Sequence, residues 1–416
     1  MNKIRSRFDW MTRDAWLIVS ARGLRSLAQG SLSVIMAIYL YLVGFSTMQI
    51  GLFLSAGIGG AAAYSLAIVF FGDRLGRRRL LIGFTLLPAL TALILTLTTS
   101  FSILSLLAFI GCFSVAGGGS ASGPAQPLEQ ASLASRVVSE RRTDLYALYG
   151  VVRTSGIAIG ALSAGLPVFY QHMFVMQEIV SLRVVFVTSA VLFVLAGFCY
   201  ALVSSDVEVE VAKGQWSNPL RLPSRRIIFT LSGLFSLDHF AGGLVVESLV
   251  SLWFYSKFGV ELQSIGIIFL GSNILGAISL FIAAKLANRI GLINTMVFTH
   301  IPASLLLIAI PFLPTAWLAA IFWLARGFCS RMDVPTRESY TMAIVEPEER
   351  VAMAGLNTTT RSVTGTISPS LATILWSMGA VSLPFIVCGV LKIGYDLSLY
   401  FMFRNIHPPE ENNAEL

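Results

Sequence analysis

The chain has 416 residues, 55% of them hydrophobic and 12% charged, with a formal net charge of +7. A soluble domain carries about a quarter charged residues, so this composition excludes a soluble enzyme and a nucleic-acid-binding domain. It points to a chain that lives in lipid, where an apolar stretch of about twenty residues crosses the bilayer core as a helix because lipid offers no partner to unpaired backbone groups.

Twelve such stretches follow one another, at residues 16–43, 50–71, 80–99, 102–127, 145–169, 181–203, 227–255, 264–286, 293–313, 316–343, 351–377 and 382–403. Basic residues fall in every second loop. Lys3, Arg5, Arg7 and Arg13 precede span 1, Arg74, Arg77, Arg78 and Arg79 follow span 2, and Arg136, Arg141 and Arg142 follow span 4. Lys213, Arg221, Arg225 and Arg226 follow span 6, Lys285 and Arg289 follow span 8, Arg350 follows span 10 and Arg404 follows span 12. By the positive-inside rule both termini are expected to be cytoplasmic, and the surplus charge records inner loops rather than a nucleic-acid partner. The basic N-terminus leads straight into a span too long for a signal peptide, so no cleavable leader is expected. Cys112, Cys199, Cys329 and Cys388 all fall inside spans and read as packing residues. No metal site and no cofactor are expected.

The chain repeats itself. Span 1 ends in YLYLVGFSTMQIG and span 7 in FYSKFGVELQSIG, so that Gly44 aligns with Gly259 and Ile50-Gly51 with Ile265-Gly266. The same offset lays Arg74 and Gly76 on Arg289 and Gly291. Later, Pro127, Arg142 and Arg153 match Pro335, Arg350 and Arg361 at a second shared offset. Residues 1–203 and 227–416 therefore read as two six-span bundles, the second with a short cytoplasmic tail, joined by a polar cytoplasmic linker at 204–226. An even number of spans per copy makes the repeat parallel.

Between spans 2 and 3 stands VFFGDRLGRR at 69–78, and its counterpart AKLANRIGLI at 284–293 keeps only Arg289 and Gly291. With the twelve spans, the repeat and the polar linker, this loop resembles the signature of the major facilitator superfamily, Val69 standing where that family has a glycine. The resemblance covers nearly the whole chain. It implies an all-α membrane protein of twelve transmembrane helices in two six-helix pseudo-symmetric halves. It also implies that Asp73, with Arg74, Gly76, Arg77 and Arg78, forms a conformational gate holding the outward-facing state. The alternative is that the basic loop only anchors topology, which an acid would not serve.

The family's fold places spans 1, 4, 7 and 10 around a central cavity, and those spans carry most of the embedded charge. Span 1 has Arg22, Arg25 and Gln29, span 4 ends near Glu129, span 7 has Asp238, His239 and Glu247, and span 10 has Arg326, Arg331, Asp333, Arg337 and Glu338. Spans 2, 3, 6, 8 and 9 carry almost none. A charge at mid-bilayer costs at least about 2.5–3.5 kcal/mol, so several together imply water, pairing or a ligand. Asp238 falls near the bilayer centre, with Arg326 at a similar depth. Asp238, then His239 and Glu129, are the candidates for carrying a proton, the alternative being a static Asp–Arg pair between spans 7 and 10. Arg22, Arg25, Gln29, Glu247, Arg326, Arg331 and Asp333 are the candidates for lining the cavity. Arg153 and Arg361 occupy matched positions and are expected to satisfy Glu129 and Glu338 as part of the gate, the alternative being direct contact with the substrate. In span 12, Lys392 and Asp396 are spaced to pair with each other. Gly117, Gly118 and Gly119 lack the Gly-Lys-Ser/Thr of a phosphate loop and read as close packing. Gly156, Gly160 and Gly165 partly match the glycine pattern of the family's antiporters, with Ala161 in place of a proline.

The reading that follows is a secondary active transporter working by alternating access, with proton-coupled export of a small organic molecule preferred. Uptake or exchange of a small organic anion is the alternative, and a transporter-like receptor or scaffold is the alternative of another class. An enzyme is not expected. The partners expected are a small-molecule substrate, protons and the lipid bilayer, for a monomer in the plasma membrane.

Overall fold

The computed structural model describes residues 11–113, 124–134, 142–204, 224–345 and 349–406. Among them the regular structure is helical. In chain order the helices are α1 (Arg13–Leu42), α2 (Thr47–Leu75), α3 (Arg77–Leu97), α4 (Phe101–Ile110), α5 (Ala125–Ala134), α6 (Arg142–Ser163), α7 (Leu166–Phe174) and α8 (Glu178–Ala201). Then come α9 (Arg225–Gly243), α10 (Glu247–Phe258), α11 (Leu262–Ile290), α12 (Leu292–Ala309), α13 (Ala316–Ser330), α14 (Asp333–Ala343), α15 (Arg350–Ser377) and α16 (Leu383–Phe403). Eight helical segments are long and apolar enough to cross a bilayer.

Among the described residues, helices fall within each of the twelve predicted spans, but four spans are not single helices. Span 4 holds α4 and α5, with the three glycines Gly117 to Gly119 outside the described residues. Span 5 is divided at Gly165, after which Pro167 starts α7 in the first turn, where a missing N–H costs nothing. Span 7 is divided between Gly243 and Glu247, with Val246 extended. Span 10 is divided at Arg331 and Met332.

The repeat is visible in the backbone. Gly44 and Gly259, aligned in sequence, turn the chain at the ends of α1 and α10 with φ of +97° and +62°. Gly76 and Gly291, the next aligned pair, turn it between α2 and α3 and between α11 and α12 with φ of +78° and +84°. Only glycine adopts such angles without strain. Ser46 then starts α2 with a capping box closed by Gln49.

Packing divides the helices into two groups. In the first, α1 packs on α6 and α8, α3 on α8, and α2 on α4. In the second, α9 packs on α15 and α16, α12 on α13, α14 and α16, and α11 on α13. Small residues set the closest approaches, as expected where lipid gives no hydrophobic drive between helices. A Cβ on Gly160 would lie 2.1 Å from the Leu27 carbonyl oxygen, and one on Gly30 2.2 Å from that of Ile157. The glycines that suggested an antiporter pattern in α6 thus lock α6 to α1.

The groups meet through α2 with α15, α10 with α1, and α6 with α11. The hydrogen bonds between them lie toward the end that holds the α1–α2 and α10–α11 turns. Ser248 donates to the Ser33 carbonyl oxygen at 2.7 Å and Ser251 to that of Val34 at 2.6 Å. Ser370 donates to the Ser55 hydroxyl at 2.7 Å, and Tyr255 to Glu178 at 3.0 Å. Toward the opposite end, α5 packs on α1, α3 and α6, and α14 on α11 and α12, each within its own group.

Gly51 lies in this seam. A Cβ there would meet Thr373 Oγ1 at 1.8 Å and the Pro369 carbonyl oxygen at 2.8 Å. Gly51→Ala is expected to leave each group folded but to part α2 from α15. A cysteine placed at Ser370 should then react faster with a water-soluble thiol reagent than in the parent. Equal rates would show that the seam does not depend on this close approach.

Candidate functional site

Three polar clusters lie inside the helices. The first belongs to the first group and centres on Glu129 of α5, which is fully buried. Arg25 donates to its Oε1, Tyr200 donates to the same oxygen at 2.6 Å, and Tyr149 donates to Oε2. Arg22, one turn before Arg25 on α1, stands with Nη1 3.7 Å from Oε2 and its guanidinium over the Tyr149 ring at 5.8 Å. The sequence expectation gave Glu129 to Arg153. The structure gives it to Arg25, because the face of α1 that carries Arg22 and Arg25 turns toward α5, and Tyr149 takes the α6 side one turn before Arg153. Gln29, one turn beyond Arg25, is half-buried. Glu129 and the two arginines are thereby one cluster rather than separate proton and cavity groups.

The second cluster belongs to the second group. Asp238 of α9 accepts from Arg337 at 3.0 Å and from Lys392 on its other oxygen. Arg337 also holds Asp333, one turn earlier on α14, at 3.2 Å. Lys392 Nζ lies 3.5 Å from His300 Nε2, and His300 Nδ1 stands 2.9 Å from Asp396. Charged or polarisable groups from α9, α12, α14 and α16 thus run in a line through the interior. The expected Lys392–Asp396 pair does not form. Both residues are buried on one face of α16, but Asp238 and His300 reach them from neighbouring helices and divide them. The arginine on Asp238 is Arg337, not Arg326. The break at Arg331 and Met332 restarts the helix and turns Arg337 toward α9, whereas Arg326 lies over the Trp323 ring at 4.7 Å. His239, beside Asp238, is half-buried.

The third cluster lies where the groups meet. Glu247, the first residue of α10, lies 3.2 Å from the Ser33 hydroxyl of α1, which shares its one proton between Glu247 and the Gly30 carbonyl oxygen at 2.9 Å. Arg331, the C-cap of α13, stands 3.9 Å from Glu247 and donates to Asn273 of α11 at 2.8 Å. Arg153 and Arg361 are half-buried on α6 and α15. Glu338, the acid expected beside Arg361, is exposed and stands within electrostatic reach of both Arg361 and Arg153. Of the loop signature, Gly76 makes the turn, and Arg78 donates to the Ala201 carbonyl oxygen of its own group. Arg77 is half-buried. The side chains of Asp73 and Arg74 lie outside those described.

Sequence reading missed His300, Asn273 and Ser33. The available signal was a single histidine in the otherwise apolar span 9, since an ionisable group at that depth is a site by default. Among the described residues, no set of His, Cys, Asp and Glu side chains is arranged to hold a metal ion. Among the described span residues, Arg22, Arg25, Arg337 and Lys392 are buried with the carboxylates Glu129, Asp238, Glu247, Asp333 and Asp396, while Arg153, Arg326, Arg331 and Arg361 are half-buried. Arg326 and Arg361 have no carboxylate within ion-pair distance among the described residues.

The sequence matches the family model described as Major Facilitator Superfamily over residues 18–325 and 239–416. It is similar to an uncharacterized membrane protein of Saccharomyces cerevisiae, YJR124C, at 22% identity over 436 residues and 96% of each chain. The fold is similar to that of the nucleoside transporter NupG, with a TM-score of 0.75, 15% identity, and coverage of 95% of this chain and 100% of that one. It is also similar to a bacterial homologue of the human lysosomal transporter Spinster, solved in an inward-facing and occupied conformation. There the TM-score is 0.71 at 14% identity, covering 93% of this chain and 95% of that one. At these identities the likeness to the solved structures is one of fold.

The Glu129 cluster makes a stability prediction. Glu129→Gln removes the one carboxylate that compensates Arg22 and Arg25 in a dry interior, and breaking a buried pair from one side costs about 3–5 kcal/mol. Thermal unfolding of the purified variant should fall well below that of the parent, while Glu247→Gln should not. A parent-like unfolding temperature for Glu129→Gln would free the residue for a transport role.

Proposed function

The chain belongs to the major facilitator superfamily, and from that premise we propose that it is a secondary transporter of a small organic anion, working by alternating access of two six-helix halves. The family's members are transporters and not enzymes. The observation that carries the substrate class is that Arg326 and Arg361, half-buried among the helices, have no carboxylate within ion-pair distance among the described residues. Arginine keeps its charge when buried and grips carboxylate or phosphate with two hydrogen bonds. Cations at membrane depth that lack an acid therefore call for an anion from outside the chain.

The halves in this reading are residues 1–203 and 227–416, with 204–226 as the cytoplasmic linker and twelve transmembrane spans in all. The basic loops put the termini and the α2–α3 and α11–α12 turns in the cytoplasm of a plasma-membrane monomer. The seam of α1, α2 and α6 against α10, α15 and α11 is then an outer gate, and it is closed. Helices α5 and α14, each packed within its own half, leave the cytoplasmic side as the open one.

Proton coupling is the second reading, and one observation favours it. The run from Asp333 through Arg337, Asp238, Lys392 and His300 to Asp396 places a histidine between a carboxylate and an ammonium. Such a line can pass a proton without exposing a bare charge. The proton site in this reading is the line as a whole, with His300 as its one imidazole, a group able both to take up and to give a proton.

The test is a thermal-shift panel of mono- and dicarboxylates, organic phosphates, neutral solutes and organic cations, followed by flux in proteoliposomes. Carboxylates or phosphates are expected to stabilise the parent. Losing one charge-assisted contact costs about 1.5–3 kcal/mol, so Arg326→Gln and Arg361→Gln should each weaken the stabilising anion roughly ten- to a hundredfold. Stabilisation by cations or neutral solutes alone, or parent affinity in both variants, would contradict the anion reading.

A further inference from the structure

Two of the divided helices are the ones that carry the third cluster, and their ends face each other. α10 begins at Glu247, and negative charge is favoured at a helix N-terminus. α13 ends at Ser330 with Arg331 as its cap, and positive charge is favoured at a C-terminus. The Arg331 arm is seated on α11. Asn273 accepts its Nη2 hydrogen, and a Cβ on Gly276 would come within 2.5 Å of its Cδ, so only glycine leaves that groove open. The pair is unequal in access. The Arg331 side chain is 26% exposed and that of Glu247 10%. A solute can reach the cation while the carboxylate stays covered. Glu247 also reaches across the seam to Ser33, whose own carbonyl oxygen accepts from Ser248.

We propose that Glu247 and Arg331 form an occupancy-sensitive latch on the closed outer gate. In the empty protein Glu247 neutralises Arg331, and its bond to Ser33 ties that neutrality to the contact of α1 with α10. A substrate anion arriving on Arg331 takes over the neutralisation. Glu247 is then a buried carboxylate with one hydroxyl for a partner and a second negative charge beside it. Such a group is costly to keep dry, and parting α1 from α10 relieves the cost by admitting water. A ligand shifts a conformational equilibrium only by its differential interaction with the two states, and the stranded carboxylate supplies that difference. The substrate limb of this proposal rests on the anion reading above; the latch itself does not.

The latch can be tested without any ligand, because Arg331→Gln leaves Glu247 in the condition that substrate would create. The readout is the reactivity of a cysteine at Ser370 toward a water-soluble thiol reagent, above that of the same protein with Ser370 intact. Arg331→Gln should raise it by about an order of magnitude. Arg331→Lys keeps the charge and should stay near the parent. Adding Glu247→Gln to Arg331→Gln removes the stranded carboxylate and should return the rate to the parent's, which also separates gate opening from misfolding. An unchanged rate in Arg331→Gln, or a rise that survives Glu247→Gln, overturns the latch. Carboxylates applied to the parent should raise the same rate. If they do not while the substitution pattern holds, the substrate limb and the anion reading fail and the latch remains.

Discussion

A charge inside a bilayer must find a counter-charge, and that constraint organises this molecule. Glu129 is compensated by Arg25 and Arg22, and two tyrosine hydroxyls fill its remaining acceptor sites. The cluster joins α1, α5, α6 and α8, so it fastens four helices of one half without touching the other. Asp238 does the same for α9, α14 and α16 through Arg337 and Lys392, with His300 and Asp396 extending the network to α12. Each of these clusters settles its charges within one group of helices, as the proposed rocking of two halves requires.

The seam between the halves is built differently. It is made of serine hydroxyls on carbonyl oxygens and on another serine, of a tyrosine on the Glu178 carboxylate, of glycine approaches, and of Glu247, which faces an arginine. Hydrogen bonds of this kind contribute only about 0.5–1.5 kcal/mol each, so the seam can part without a prohibitive cost. Glu247 is the exception, because its state depends on what Arg331 is doing. The breaks in spans 7 and 10 bring these two side chains to helix ends, where the backbone favours their charges. Arg326 and Arg361 add cations with no carboxylate within ion-pair distance among the described residues.

Much of this architecture was legible in the sequence. Apolar runs placed the helices, and the aligned pairs Gly44 with Gly259 and Gly76 with Gly291 located turns that the backbone makes with positive φ. The choice of spans that carry charge was also legible, since a charge in an apolar run stands out. The pairings were not. Glu129 takes Arg25 rather than Arg153, and Lys392 takes Asp238 rather than Asp396, because partners lie on different helices whose rotation no linear spacing records. The divisions of spans 7 and 10 were hidden for a related reason. Gly242 and Gly243 permit a break, but only the packing of α10 against α1 uses it. His300 was passed over because span 9 was judged by its average rather than by its exception.

The central claim is that anions drive this fold between two arrangements of its halves. Spin labels on exposed positions read it directly, Met48 with Glu261 across the closed end and Arg79 with Arg289 across the other. Pulsed electron-spin distances are measured in lipid with and without the carboxylates and organic phosphates. The account predicts that these anions lengthen the Met48–Glu261 distance and shorten the Arg79–Arg289 distance in the same samples. Distances that ignore anions, or that respond to organic cations instead, would contradict it.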